Sequence, residues 1–288
     1  MNKVKKLFQK SPVVFFDGAM GTMLQRNGMP KGIRSDAMNM IMPDVVEAIH
    51  REYVNAGSDI ICTNTFGAGA HALRDSEYTP EQIISAGLSI ARLAAGEQAL
   101  VAFDMGPVGE LLAPSGELTY DDAYVMFKEQ AIFAEQYGAD LVAIETMGDI
   151  EELRAAICAV QDNTTLPVFA TMTFMENKKT YMGAAPQELC EIAEQYALAG
   201  FGMNCSYPPD KMLPVARELA EASKIPLIIK LNAGMPGSDG SYALSPEAYA
   251  RQLLPYLELD VKVFGACCGS SPDFIRELKK VFSMEGGA

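Results

Sequence analysis

Short apolar runs of five to seven residues recur along the chain: 13–17 (VVFFD), 59–63 (DIICT), 99–104 (ALVAFD), 140–145 (DLVAIE), 167–173 (PVFATMT), 201–205 (FGMNC), 226–232 (PLIIKLN) and 261–267 (VKVFGAC). They are nearly continuous in apolar character rather than alternating, which predicts parallel strands covered on both faces. Longer segments with helical spacing lie between them. Residues 43–56 place Val45, Val46, Ile49 and Tyr53 on one face and stop at Gly57. Residues 119–137 open on Thr119, with Asp121 and Asp122 in the first turn, as a helix N-terminus should. Further helices are predicted over 150–161, 186–199, 208–222, 246–257 and 272–282, and four of these carry a proline near the first turn, where its missing N–H costs nothing. Eight strands alternating with helices predict an α/β fold, a single-domain (β/α)₈ TIM barrel over residues 1–288. Two irregular segments, 18–42 and 106–118, each follow a strand, so both are expected to arch over the strand C-terminal ends, where barrel enzymes place their chemistry.

A length of 288 residues suits one such barrel without a second domain. The net charge of −14 argues against a nucleic-acid partner. No run approaches the roughly 18 apolar residues of a membrane span, and the apolar stretch 13–16 behind the basic opening is too short for a signal-peptide core. A cytoplasmic location is expected, with the six cysteines reduced. Cys62, Cys158 and Cys190 read as small buried apolar residues. Cys267 and Cys268 are adjacent, a poor arrangement for a disulfide, and metal ligation or catalysis is the better expectation.

The polar residues gather at the strand ends: Asp17 and Gly18 after the first, Asn64 and Thr65 after the second, Asp104 after the third, Glu145 after the fourth, Asn204 and Cys205 after the sixth, Asn232 after the seventh, and Cys267 and Cys268 after the eighth. In a closed barrel these ends face one cavity, and strands six, seven and eight lie side by side. Cys205, Cys267 and Cys268 are then placed to bind one zinc ion, with Gly269 permitting the turn that lets neighbouring cysteines both ligate. Three protein ligands leave the fourth position open, the mark of a catalytic rather than a structural zinc. Asp17 before Gly18 also fits a turn residue, Glu145 a buried ion-pair member, and Asn64, Thr65 and Asp104 either line the pocket or hydrogen-bond their loops. A phosphate cradle at 265–271 is disfavoured, because the cysteine pair would be idle and the mouth is not basic.

Over nearly its whole length the chain resembles the homocysteine S-methyltransferase family. The motifs are DGAMGT (17–22), NTFG (64–67), GMNC (202–205) and GACCG (265–269). GPVGELL (106–112), GELTYDDA (116–123) and NAGMP (232–236) look most like the homocysteine-binding domain of cobalamin-dependent methionine synthase, and less like the betaine-dependent branch. The resemblance implies zinc held by Cys205, Cys267 and Cys268. It implies homocysteine contacts at Asp17, Gly18 and Glu145, and an Asn232 side-chain oxygen that fills the fourth zinc position before substrate arrives. Ala266 stands where the family usually has a second glycine, Phe274 where it has a histidine, and Ser206-Tyr207-Pro208-Pro209 follows Cys205. The implied reaction activates the homocysteine thiol as a thiolate that takes a methyl group, giving methionine. Only two histidines occur, His50 and His71, and neither lies in an Asp-x-His-x-x-Gly arrangement suited to ligating cobalt. With no separate corrinoid or folate domain in 288 residues, the expected donor is methylcobalamin carried by a separate corrinoid protein. The alternatives are S-methylmethionine or another small donor, selenocysteine as acceptor, or a non-catalytic, zinc-stabilised domain that docks on a partner.

Overall fold

The structure, a computed structural model, describes residues 2–238 and 240–284. Its strands are β1 (Val14–Phe15), β2 (Ile60–Cys62), β3 (Leu100–Met105), β4 (Leu141–Met147), β5 (Val168–Met172), β6 (Gly200–Asn204), β7 (Leu227–Leu231) and β8 (Val263–Ala266). Each pairs in parallel with its neighbours in the order β1-β8-β7-β6-β5-β4-β3-β2. The last seam closes through a parallel bridge between Phe16 and Ile60 and the Asp59 N–H donating to the Phe15 carbonyl at 2.7 Å. The predicted (β/α)₈ barrel is therefore the observed one, and all eight strand C-terminal ends open to the same side.

The helices are α1 (Lys3–Lys10), α2 (Met20–Arg26), α3 (Met38–Ile41), α4 (Pro43–Ala56), α5 (Pro80–Ala95), α6 (Tyr120–Gln136), α7 (Ile150–Asn163), α8 (Pro186–Gln195), α9 (Pro209–Ala222), α10 (Pro246–Leu253) and α11 (Pro272–Met284). Thr119 caps α6 through a reciprocal bond with Asp122, and Gly57, at φ 101°, ends α4. Helix α5 was not among the predicted helices, although Thr79 caps it, Gln82 completes the box, Pro80 opens it, and Ile83, Ile84, Leu88 and Ala91 fall at helical spacing. The segment 18–42 is not wholly irregular, since α2 and α3 lie within it. The helix predicted over 246–257 stops as α10, and a 3₁₀ turn, Leu254–Leu259, follows because Pro255 cannot donate the next helical hydrogen bond.

Two cores result. The larger lies between strands and helices. The smaller fills the barrel and includes Val14, Phe16, Ile60, Ala102, Leu141, Phe169 and Val263. Helix α1 plugs its closed end: Val4 is buried and Phe8 stacks on Phe169 with ring centroids 6.0 Å apart. Phe274 packs edge-on against Tyr249 at 5.4 Å, a structural role as expected. No helix among the described residues is long and apolar enough to cross a membrane.

His50, on α4, is fully buried with neither ring nitrogen hydrogen-bonded, and burial holds its pKa down at about 4. The imidazole is neutral when folded, whereas the unfolded chain takes up a proton below about 6.5. Stability attributable to this group is thus present above that pH and is lost as pH falls toward 4, on the order of 3 kcal/mol in all. Urea unfolding from pH 7 to pH 4.5 is expected to show a shallower decline in His50→Leu than in the parent; parallel curves would refute this.

Candidate metal and substrate site

The strand ends surround a cavity of about 350 Å³, within the range of small-molecule sites. On one side stand three sulfurs. Cys205 follows β6 in the left-handed conformation, at φ 47°, and its N–H donates to the Lys230 carbonyl at 3.1 Å. That conformation is uncommon for a residue with a side chain. Cys267 and Cys268 follow β8, their N–H groups donating to the Leu231 carbonyl at 2.8 Å and to Asn232 Oδ1 at 3.1 Å. Gly269 turns the chain at φ 83°, where a Cβ would lie 2.2 Å from the Tyr242 ring. Cys205 Sγ and Cys268 Sγ are 3.5 Å apart, and all three sulfurs lie within 4.8 Å of one another.

A tetrahedral zinc with bonds near 2.3 Å sets its sulfurs about 3.8 Å apart, so the spacing fits a shared ion. The donor chemistry agrees. Hydrogen bonds from Cys205 and Cys267 pull the Cys268 thiol down to about 3, while hydrogen bonds with Cys267 and Cys268 push Cys205 up. One thiolate forms readily, and three together require a cation among them.

The opposite side is ionic. Lys230, one residue before the C-terminal end of β7 and buried, donates to Glu145 Oε1 at 2.6 Å and to Cys62 Sγ at 3.6 Å. Its Nζ lies 3.9 Å from Asp17 Oδ1 and 4.2 Å above the centre of the Phe16 ring. Burial opposes the Lys230 charge, but the Cys62 thiol and the carboxylates of Glu145, Asp17 and Asp104 outweigh it and raise its pKa. Burial lifts Asp17 to about 7 against the pull of Lys230, and lifts Asp104 well above the usual carboxylate range with help from Glu145. Cys62, Asp104 and Glu145 are close enough together to suggest a second metal site. The Lys230 ammonium already occupies the space between Cys62 and Glu145, so that trio is an ion-pair floor.

Of the residues singled out in the sequence, Asp17, Gly18, Asn64, Asp104, Glu145, Cys205, Cys267 and Cys268 all line the cavity. Gly18 must lack a side chain, since a Cβ would fall 2.4 Å from Ser270 Oγ and 2.9 Å from Tyr53 Oη. Ser270 Oγ accepts from Ala19 N–H at 2.9 Å and donates to the Cys267 carbonyl at 2.7 Å, lacing the loop after β1 to the cysteine pair. The Asn64 amide is committed to its loop, donating to the Ser35 carbonyl at 2.6 Å and Asn39 Oδ1 at 3.0 Å. Thr65 stands behind the lining and donates to the Asp104 carbonyl at 2.8 Å. Asn232 sits beside the cysteine pair with its oxygen engaged by Cys268. Cys62 reaches the cavity as well as the core, while Cys158 and Cys190 lie on α7 and α8.

Lys230 was not among the sequence candidates, and Asn204 was placed at the end of the sixth strand without a role. Asn204 Oδ1 accepts from Thr146 N–H and Thr171 Oγ1, each at 2.7 Å, and its Nδ2 donates to Thr146 Oγ1 at 2.8 Å. It thereby clamps Thr146, at φ 64°, and fixes the direction of Glu145 next to it.

The sequence matches the profile of a family described as homocysteine S-methyltransferase over residues 14–282. It is 32% identical over 289 aligned residues to proteins named methionine synthase from Mycobacterium leprae and Mycobacterium tuberculosis. Those alignments cover 92% of this chain and 24% of either relative, so the chain spans about a quarter of the length of the curated relatives it matches. Among solved structures, the homocysteine methyltransferase MmuM from Escherichia coli superposes with a TM-score of 0.86 in its oxidised form and 0.85 in its metallated form. At 19% identity, over 97% of this chain and 99% of that one, the likeness shows a shared fold.

Proposed function

The chain belongs to the homocysteine S-methyltransferase family, and from that premise we propose that it methylates the thiol of homocysteine at a zinc ion held by Cys205, Cys267 and Cys268, giving methionine. The observation that carries this reading is the convergence of three sulfurs, 63 residues apart at the widest hydrogen-bonded pair, on one rim of a cavity whose other side is ionic. When bound, zinc supplies the Lewis acidity that ionises a thiol, otherwise protonated up to a pKa near 8.5, and leaves its sulfur nucleophilic.

The protein's own groups do the rest. The three cysteines form one rim and leave room on the cavity side for a fourth sulfur. Asp17 and Glu145, with Lys230 between them, receive the zwitterionic end of the amino acid and set the distance from that end to the sulfur. Ser270 holds the Gly18 turn against Cys267, so the two halves of the site keep their spacing. Asn232 braces the Cys268 backbone and is available to the metal before substrate binds.

The methyl donor in this reading is methylcobalamin carried by a separate corrinoid protein, with both acting in the cytoplasm. Supporting it, the loops around the mouth expose Ile33 and Ile41 after β1, Phe66 after β2, Leu111 after β3, Tyr181 after β5 and Met235 after β7. Such an apolar rim suits a docked partner. Methionine formation from homocysteine is expected with methylcobalamin presented by a corrinoid protein. Full-rate methylation by S-methylmethionine with no corrinoid present would replace the donor in this account, and failure with both would overturn the activity.

A further inference from the structure

A second cavity, of about 270 Å³, lies between the segment 106–118, α7 and Tyr181 of the loop after β5. Glu152, in the first turn of α7, lines it and is only 3% exposed, and its Oε1 accepts from the Val108 N–H at 2.7 Å. That bond pins the segment. Gly106, two residues earlier, donates its N–H to the Phe66 carbonyl at 3.1 Å, and a Cβ on Gly106 would fall 2.7 Å from the Phe66 ring. Phe66 lines the main cavity, so the pinned segment backs one wall of the mouth. The groups that face Glu152 are Asp149, which caps its own helix, Glu110 from the segment, and the Tyr181 phenol. His71 stands beyond Glu110, its Nε2 2.9 Å from Glu110 Oε2. Among the described residues no cation pairs with Glu152, and none of the side chains lining this cavity is a lysine or arginine. A carboxylate held out of water beside other acidic groups is costly, and exposing it to water relieves that cost.

We propose that Glu152 is a proton-operated latch on the segment 106–118: neutral, it holds the segment down, and ionised, it lets the stretch around Val108 lift and removes the backing of Phe66. Burial raises the Glu152 carboxyl to about 7, against the pull of the Val108 N–H and with help from the Asp149 charge. With the stretch lifted, the group meets water and returns toward its ordinary value of 4.5. Between those two values the closed form keeps a proton that the lifted form has lost. The advantage of closure is therefore whole below about 4.5, declines as pH climbs to about 7, and changes little above it. Tyr181 adds no charge of its own, since burial and the nearby carboxylates push its phenol up. The device acts on the protein alone and does not depend on which methyl donor or acceptor the mouth takes.

Amide hydrogen exchange of the full chain, followed at the Val108 N–H from pH 5.5 to pH 8.5 and corrected for the intrinsic chemical rate, tests the latch. In the parent the corrected rate is expected to rise at least tenfold between pH 5.5 and 7.5 and to level off beyond pH 8, because opening gains about a factor of ten per pH unit while only the lifted form is ionised. Glu152→Gln, which keeps an oxygen for the Val108 N–H but cannot ionise, is expected to flatten that rise to less than threefold. His71→Gln is expected to keep it, which separates Glu152 from the His71–Glu110 contact. A parent rate that does not change with pH overturns the proposal whether or not either variant folds. So does a rise that persists in Glu152→Gln or vanishes in His71→Gln, since the pH response would then belong to another group.

Discussion

Replacing Cys268 or Cys205 by serine is expected to strip the protein of zinc and reduce methyl transfer by at least two to three orders of magnitude. Four-ligand zinc sites in small domains bind with about 10–16 kcal/mol, so one thiolate accounts for roughly 3–4 kcal/mol, or a factor of 10² to 10³ in affinity. A site with three protein sulfurs has no spare ligand to absorb that loss. Because Cys205 and Cys268 stand 3.5 Å apart on ends of different strands, either change leaves the other two sulfurs in place but incomplete. Cys158→Ser is the control, since that thiol bonds Tyr196 Oη at 3.5 Å on the outer face. Metal content of protein purified without added metal is expected near one zinc per chain in the parent and in Cys158→Ser, and close to none in the other two. Zinc retained in Cys268→Ser would move the site elsewhere.

Asp17→Asn is expected to weaken homocysteine binding about 10- to 100-fold, the worth of a charge-assisted contact of roughly 1.5–3 kcal/mol. Asparagine keeps an oxygen for the Cys62 N–H, so the turn survives and the loss reports on charge. The pH dependence identifies the group. With its pKa raised to about 7, chiefly by burial, Asp17 in the free protein holds a proton below that pH. A substrate ammonium favours the ionised form and must expel that proton. Ligation of the thiol releases another below its own pKa near 8.5. The logarithm of affinity should therefore climb with a slope near two below pH 7 and near one above it. Asp17→Asn should keep a slope near one throughout. Identical slopes in parent and variant would show that Asp17 does not titrate with binding.

Much of this architecture was legible in the residues. The apolar runs located all eight strands because both faces of each are buried, and Gly57, Thr119 and the leading prolines marked several helix ends. The cysteine cluster was legible because thiols at the ends of strands six and eight must share one mouth once the barrel closes. Helix α5 escaped although Thr79-Pro80 and Gln82 signal its start and Ile83, Ile84, Leu88 and Ala91 share one face. Lys230 escaped for a different reason. A single lysine in PLIIKLN carries no local sign of its partners, which come from β1, β2 and β4, 85 or more residues away, and only barrel closure brings them to it. The same holds for the role of Asn204, whose clamp on Thr146 spans 58 residues. Thr65 and Asn64 sit where the sequence placed them, yet their side chains serve the loops.

X-ray absorption at the zinc edge, recorded before and after homocysteine is added, tests most directly whether the cysteine trio is built for an incoming thiol. Three sulfurs at about 2.3 Å with one lighter ligand, becoming four sulfurs on addition, is the expected result. A zinc already bound by four protein ligands and unchanged by homocysteine would contradict it.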